Sequence, residues 1–268
     1  MKKVVIDPDR VCSNELIAFA KKVDSGIEVR FRSDYDTLFV DAKYWLQYCK
    51  AKAVLNKLAF SDIGMPITLI TESPHVDEFF EGALLCYKGG VTYCRPVNGK
   101  SYGTAGFLLR QWLPIVLDNV GAIADDMWHP IIIVNACPYQ CSEGLPTNAG
   151  PRDENFLKLF LGCDNTLNHA YLVKCIKQYN PCKVIEACTK GDARFIKKRL
   201  ETNYSSVCKK ILEKSLRGCV EYALCQSGIL FESVCHPCSW YNSKCRRPRK
   251  VKKSSRSHEV DFALQCSI

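Results

Sequence analysis

The chain lacks most of the features that settle a protein's class at sight. No run approaches roughly 18 consecutive apolar residues, so no transmembrane helix is expected. The opening MKKVVIDPDR carries two lysines, but its apolar patch is only three residues long, too short for a signal peptide. The expectation is a soluble, cytoplasmic protein with no membrane contact. There is no internal repeat and no low-complexity segment. A second CxxC is also missing: Cys235–Cys238 stands alone, with no partner motif to complete a four-ligand metal site. The remaining cysteines, of 17 in all, follow no framework spacing and read as reduced, buried, small hydrophobes. No metal and no cofactor is expected. A zinc or redox protein is the third and weakest reading.

Acidic residues are absent from one stretch in particular. Residues 244–256, KCRRPRKVKKSSR, hold Lys244, Arg246, Arg247, Arg249, Lys250, Lys252, Lys253 and Arg256 with no acid between them. The whole chain has a formal net charge of +9. Such a balance suits a polyanion, because Lys and Arg contacts to phosphates release counterions. The alternative is a solvated segment whose charge only aids solubility.

What is present is enough apolar sequence, 47% of 268 residues, to build a sizeable core. Residues 13–58 read as helix in two pieces, the second with Trp45, Leu46, Cys49, Ala53 and Leu58 near one face. Strand candidates are 67–71, the β-branched run 131–137, the weaker 183–188, and 228–235. Helical patterns lie between them at 104–119, 153–161, 168–179, 192–201 and 205–217. Alternation of this kind predicts an α/β fold: three layers, α/β/α, around a central, mostly parallel four-stranded sheet. The organisation expected is an N-terminal helical extension over 1–63, an α/β domain over 64–243 and a basic C-terminal segment over 244–268, together one compact unit.

In such sheets ligands bind beyond the carboxyl ends of the strands. Three of these ends are polar. The first empties into Thr71-Glu72-Ser73-Pro74-His75, the second into Asn135-Ala136-Cys137, the last into His236-Pro237-Cys238-Ser239-Trp240. Each alone is weak: a Glu after a strand is most often a cap, an Asn most often serves local backbone, and a His-Pro is usually a turn. Together on one rim they make an acid or base, an amide reader and an imidazole.

In this order the segments resemble the uracil-DNA glycosylase superfamily. TESPHVDEF is similar to its first motif, written GEAPG or GQDPY. RPVNGKSYGTAGFLLRQWL resembles the RPF-G-x-AG-x-LL segment, IIIVNACPY the LLLN strand, and VCHPCSW the HPSPL motif. The resemblance spans residues 66–241, about two-thirds of the chain. It implies a monofunctional DNA glycosylase that flips a nucleotide out of duplex DNA, hydrolyses its N-glycosidic bond and leaves an abasic site. Glu72 would orient or activate the attacking water, and His236 would stabilise charge on the 2-carbonyl oxygen of the leaving base. Asn135 would read the base and Trp240 would wedge into the helix. Ser239, Arg246, Arg247, Arg249 and Lys250 would meet the DNA backbone. DNA is the partner implied, with no obligate protein partner.

The departures from the family pattern bear on specificity. Thr71 replaces the first Gly of the motif, and Val97 replaces the Phe that stacks on the base, leaving Tyr102 or Phe107 for that task. Ser73 stands where some branches carry an Asp; Asp77 or Glu78 are the alternatives should Glu72 point elsewhere. The family's iron–sulfur cysteines have no match. His75 replaces a Tyr that closes the pocket against the base's 5-position, so a 5-substituent, even a polar one, has room. The leading expectation is therefore a glucosylated 5-hydroxymethylcytosine of phage DNA and a role in antiviral defence. Uracil excision in base-excision repair is the first alternative. A non-catalytic nucleic-acid-binding protein of the same fold is the second. Asn135 leaves uracil against cytosine open, because a side-chain amide presents its oxygen and nitrogen either way round.

Overall fold

A computed structural model describes residues 10–12, 14–31, 62–74, 84–88, 91–94, 103–141, 149–160, 168–192 and 215–249. Its centre is a mixed six-stranded sheet flanked by four helices, an α/β architecture. The two deepest strands follow from composition. β4 (Ile67–Thr71) and β7 (His129–Asn135) are buried at every position, as β-branched runs in a sheet covered on both faces must be. They pair in parallel, Ile67 with Ile131 through Thr71 with Asn135. On the other side β4 pairs in parallel with β8 (Lys183–Glu186), which pairs in parallel with the two-residue β9 (Glu232–Ser233).

Side chains alternate between two cores with the period of 2 that a strand imposes. Ile70, Ile132 and Val134 face one core, filled by α2 (Ala149–Phe160), α3 (Asn168–Tyr179) and α4 (Leu216–Gln226) through Phe156, Phe160, Leu172, Ile176, Val220 and Leu224. Phe156 and Phe160 stack at 5.1 Å. Ile67, Leu69, Ile131 and Ile133 face the other core, against Leu109, Leu113, Val116 and Leu117 of α1 (Gly103–Asn119). Helices thus cover both faces of the parallel strands.

The N-terminal part corrects the sequence reading. Residues 14–31 are not helical. They form an antiparallel hairpin, β2 (Glu15–Val23) and β3 (Gly26–Phe31), which joins the sheet's edge beside β7 and makes the order β3-β2-β7-β4-β8-β9. The sheet therefore has six strands rather than four, joined by three parallel and two antiparallel pairings. Leu16, Phe19, Ala20 and Val23 are spaced like a helical stripe, which is why periodicity misreads them. Gly26, at φ +131°, closes the two-residue turn that sends the chain back. Residues 42–58, the second expected helix, lie outside the described residues. A small second sheet pairs β6 (Val91–Cys94) with β1 (Arg10–Cys12) in parallel and with β5 (Leu84–Lys88) antiparallel; the sequence reading did not include it.

Toward the C-terminus the expected strand 228–235 shrinks to Glu232–Ser233. Of the expected helix 205–217, residues 205–214 lie outside the described residues; α4 begins at Leu216 and continues past 217 to Gln226. Ser215 caps α4, its Oγ accepting from the Gly218 amide at 2.9 Å. Of the expected helix 192–201 only its first residue is described.

Candidate active site

The backbone ladder continues past the formal strand ends and holds four chain segments side by side at the carboxyl edge. The Ala136 and Cys137 amides donate to the Thr71 and Glu72 carbonyls, each at 2.7 Å; the Ala187 amide donates to Ile70 and the Val234 amide to Glu186, each at 2.8 Å. This places Glu72 and Asn135 on neighbouring segments, with Glu186 ending β8 and His236 following β9.

Glu72 is buried. Its Oε2 accepts from the Thr189 amide at 2.5 Å, and its Oε1 lies 3.6 Å from Arg152 Nη1. Arg152 is itself gripped by Asp153, which accepts from Nε at 2.8 Å and from Nη2 at 2.6 Å, while the Asp192 amide donates to the other Asp153 oxygen at 2.7 Å. Burial disfavours the charged guanidinium, yet Glu72 and Asp153 more than offset it and hold Arg152 above its ordinary pKa. A carboxylate offers about four acceptor sites, so Glu72 retains capacity for a water.

Asn135, at the end of β7, is 3% exposed. Its Oδ1 accepts from the Thr71 hydroxyl at 2.6 Å, from its register partner on β4. Its Nδ2 is buried and has no partner among the described residues. A buried donor left unmade costs on the order of 1–3 kcal/mol, and such groups are rare enough to ask for a reason. A ligand with an acceptor atom would supply one.

His236 caps the 3₁₀ turn Pro237–Ser239. Its Nδ1 accepts from the Cys238 amide at 3.3 Å, so in the neutral ring the proton sits on Nε2. Burial lowers its pKa below the usual value; Glu72 pulls the other way, and Arg152 and Arg217 reinforce the depression. The ring is therefore a neutral N–H donor at pH 7, within electrostatic reach of Glu72.

The strand-end reasoning passed over several residues that the structure draws in. Arg152 and Asp153 carry no motif signal, and Thr71 stands out in the sequence only as a departure from one. Glu186 was findable by the same logic, since it ends β8. It is fully buried, with Oε1 accepting from the Cys188 amide and Oε2 from the Ser233 hydroxyl, each at 2.6 Å, and Arg217 Nε is 3.8 Å away. Burial pushes its pKa up to about 7, against the pull of Ser233 and Arg217. Cys137 and Cys141, both buried, bring their sulfurs to 3.6 Å at the end of β7.

Trp240 is the main correction among the expected site residues. It is fully buried in the core under α1, and its Nε1 donates to the Cys235 carbonyl at 2.6 Å. It anchors the turn that carries His236 and presents nothing to a DNA helix. Its neighbour Tyr241 is 71% exposed. Of the expected backbone contacts, Arg247 is exposed and Ser239 partly so. Arg246 stacks on Trp112 at 3.8 Å. Arg249 is exposed but already engaged, 3.1 Å from Ser233 Oγ and 3.4 Å from Glu221 Oε1. Phe107 on α1 is exposed. His75, Asp77, Glu78, Tyr102 and Lys250 lie outside the described residues. No group of three or more metal-ligating side chains occurs among the described residues, and no helix is long and apolar enough to cross a membrane. No protein-family model matches the chain, and neither a curated protein nor a solved structure is significantly similar to it.

Proposed function

We propose that the carboxyl edge of the sheet is the active site of a DNA glycosylase of the uracil-DNA glycosylase type, hydrolysing the N-glycosidic bond of a flipped pyrimidine. The observation that carries this reading is the sharing of one edge by three complementary groups: the Glu72 carboxylate, the unpartnered Asn135 Nδ2 and the neutral His236 ring. Each suits one part of the reaction. The bond between C1′ and the base nitrogen breaks, its electron pair leaves with the base, and water adds to C1′. Glu72 holds that water, takes its proton, and stabilises the positive sugar. His236 donates Nε2–H to the 2-carbonyl oxygen, where the departing base gathers negative charge. A preorganised donor of this kind contributes about 2.7–4 kcal/mol to the barrier. Asn135 holds the Watson–Crick edge of the base once it has left the stack, a step that costs a few kcal/mol.

With Trp240 buried, the wedge falls to Tyr241, exposed at the rim and followed by Lys244 and Arg247, also exposed. An aromatic ring filling the vacated stack offsets part of the flipping cost, and the basic residues suit the flanking phosphates. The antiviral role and the polar 5-substituent rest on the resemblance and on His75.

A second reading, a DNA-binding protein without the chemistry, has one specific point in its favour: both Glu72 oxygens already face internal partners, Thr189 and Arg152. Base release separates the two. Duplexes carrying a single uracil, 5-hydroxymethyluracil, cytosine, 5-hydroxymethylcytosine or its glucosylated form are incubated with the protein and assayed for alkali-sensitive abasic sites. The glycosylase reading expects cleavage of at least one. Salt-sensitive binding with no release from any, by folded protein, establishes the second reading instead.

A further inference from the structure

Glu72 and His236 need opposite charge states for the reaction above: the carboxylate ionised, the imidazole neutral. One nearby cation favours both, because positive charge makes either group harder to protonate. We propose that Arg152, on the first turn of α2, is a positioning residue that holds Glu72 ionised and His236 neutral together, and so sets the lower pH limit of base release. The inference rests on the glycosylase reading above and gives Arg152 no contact with the reacting atoms.

Arg152 is held in place from two sides. Its Nη1 lies 3.6 Å from Glu72 Oε1. Its Nε and Nη2 both donate to Asp153 Oδ1, at 2.8 and 2.6 Å, and the Asp192 amide donates to the other Asp153 oxygen at 2.7 Å. The guanidinium cannot swing away from Glu72 without breaking two charge-assisted bonds. Arg suits the place better than Lys, because its planar fork serves two carboxylates at once. Both carboxylates are buried, Asp153 at 0% and Glu72 at 5% exposure. The cluster is thus two buried anions around one cation. Burial raises the pKa of Asp153; Arg152 and the Asp192 amide oppose the rise, and Glu72 adds to it. Without the cation, two carboxylates would stand beside one another out of water, and one of them would take up a proton.

The other groups around Glu72 do not substitute for Arg152. Cys141 follows β7, Cys188 follows β8 and Cys238 follows β9; burial raises the pKa of each thiol, so all three are uncharged at pH 7. The Thr189 amide holds Oε2 but carries no formal charge. His236 is the remaining neighbour. Burial lowers its pKa, Glu72 pulls it up, and Arg152 and then Arg217 lower it again. Arg217 is committed elsewhere: its Nε donates to the Cys188 carbonyl at 2.8 Å and lies 3.8 Å from Glu186 Oε1. Among the described residues, Arg152 is therefore the cation that is paired with Glu72 and also acts on His236. Protonating either group would stop the reaction. A protonated Glu72 cannot take a proton from water. A ring protonated at Nδ1 loses the acceptor that the Cys238 amide uses at 3.3 Å, and with it the turn that aims Nε2.

The test is the pH profile of single-turnover base release by the full chain, from about pH 5 to about pH 9, on whichever of the five duplexes wild type cleaves best. Arg152→Met is expected to move the acid limb up by about 1 pH unit or more, lowering release about 10-fold or more on that limb, with recovery toward the wild-type rate on the alkaline side. Arg152→Lys keeps the charge and is expected to return the limb to within about 0.5 pH unit of wild type. Asp153→Asn removes an anion, keeps the cation, and is expected to move the limb down. A purely structural Arg152 would lower release by one factor at every pH. That result for Arg152→Met, or a limb displaced as far by Arg152→Lys, overturns the proposal. Should Arg152→Met fail to fold, Asp153→Asn decides: a limb moved down supports the proposal, and an unmoved or raised limb overturns it. No release from any duplex by folded wild type removes the glycosylase reading and this inference with it, a result distinct from release without the expected pH shifts.

Discussion

The two ends of the sheet each hold a buried or half-buried histidine, in opposite states. At the amino end His129 opens β7. Its Nδ1 donates to the Met65 carbonyl and its Nε2 to Asp125 Oδ1, both at 2.7 Å. Burial opposes charging the ring, but Cys182, Asp125 and Met65 outweigh it and push its pKa to about 9. Gly64 lies against the ring so closely that a Cβ there would meet Cε1 at 2.7 Å. At the carboxyl end His236 is held neutral, and Asn135 keeps a donor with no partner among the described residues. One edge spends its polar groups on the fold, joining the segments before β4, β7 and β8. The other also ties Glu72 and Glu186 into the fold, but leaves the Asn135 Nδ2 donor unused among the described residues. In a sheet of one chain, that contrast separates a structural clasp from a site that awaits a ligand.

The sharpest way to break the contrast is to cut one polar group at each edge. Asn135→Ala is expected to lower base release by about 10²–10³-fold, the loss typical of one preorganised donor, with little change in melting temperature. His129→Gln is expected to leave base release within a few-fold and to cost about 1–3 kcal/mol of stability at pH 6, measured by urea unfolding. Equal effects of both variants on both readouts would erase the distinction.

Next in size is the pair at the C-terminal rim. Trp240→Ala removes a fully buried indole and is expected to cost about 3–5 kcal/mol. Tyr241→Ala is expected to keep the melting temperature and to weaken productive duplex binding, seen as slower release at subsaturating protein. A stable Trp240→Ala that loses release, beside an unaffected Tyr241→Ala, would return the wedge to position 240.

The pH dependence of stability distinguishes the histidines by sign. His129 has a raised pKa, so its contribution is fully present below about 6.5 and is lost as the pH climbs from there through about 9. His236 has a lowered pKa, so its contribution is present above the ordinary value and is lost as the pH falls below it. Urea midpoints across this range should lose their alkaline slope in His129→Gln and their acid slope in His236→Ala. The smallest effect expected is that of Arg247→Ala: a few-fold weaker duplex binding, with the logarithmic salt slope reduced by about 1.

How legible this was in the sequence varies with the range of the forces involved. β4 and β7 announce themselves because a strand buried on both faces needs a continuous β-branched run. Their carboxyl ends, with Glu72 and Asn135, followed from that, and His236 from the turn after β9. The hairpin over 14–31 was illegible because Leu16, Phe19, Ala20 and Val23 satisfy a helical period, while its strand state is decided by pairing with β7, more than a hundred residues on. Trp240 misled because matching a motif transfers a position and not an exposure. Thr71 was noted only as a departure; its bond to Asn135 joins residues 64 positions apart, and no local pattern encodes it.

The central claim is that Glu72 serves the breaking of a glycosidic bond. The most direct test is quantification of free base released by wild type and by Glu72→Gln, two proteins matched in melting temperature, from whichever of the five duplexes named above wild type cleaves best. The account predicts stoichiometric free base with an abasic strand for wild type, and a loss of about 10²-fold or more for the variant. Equal release by both, or none by either, would contradict it.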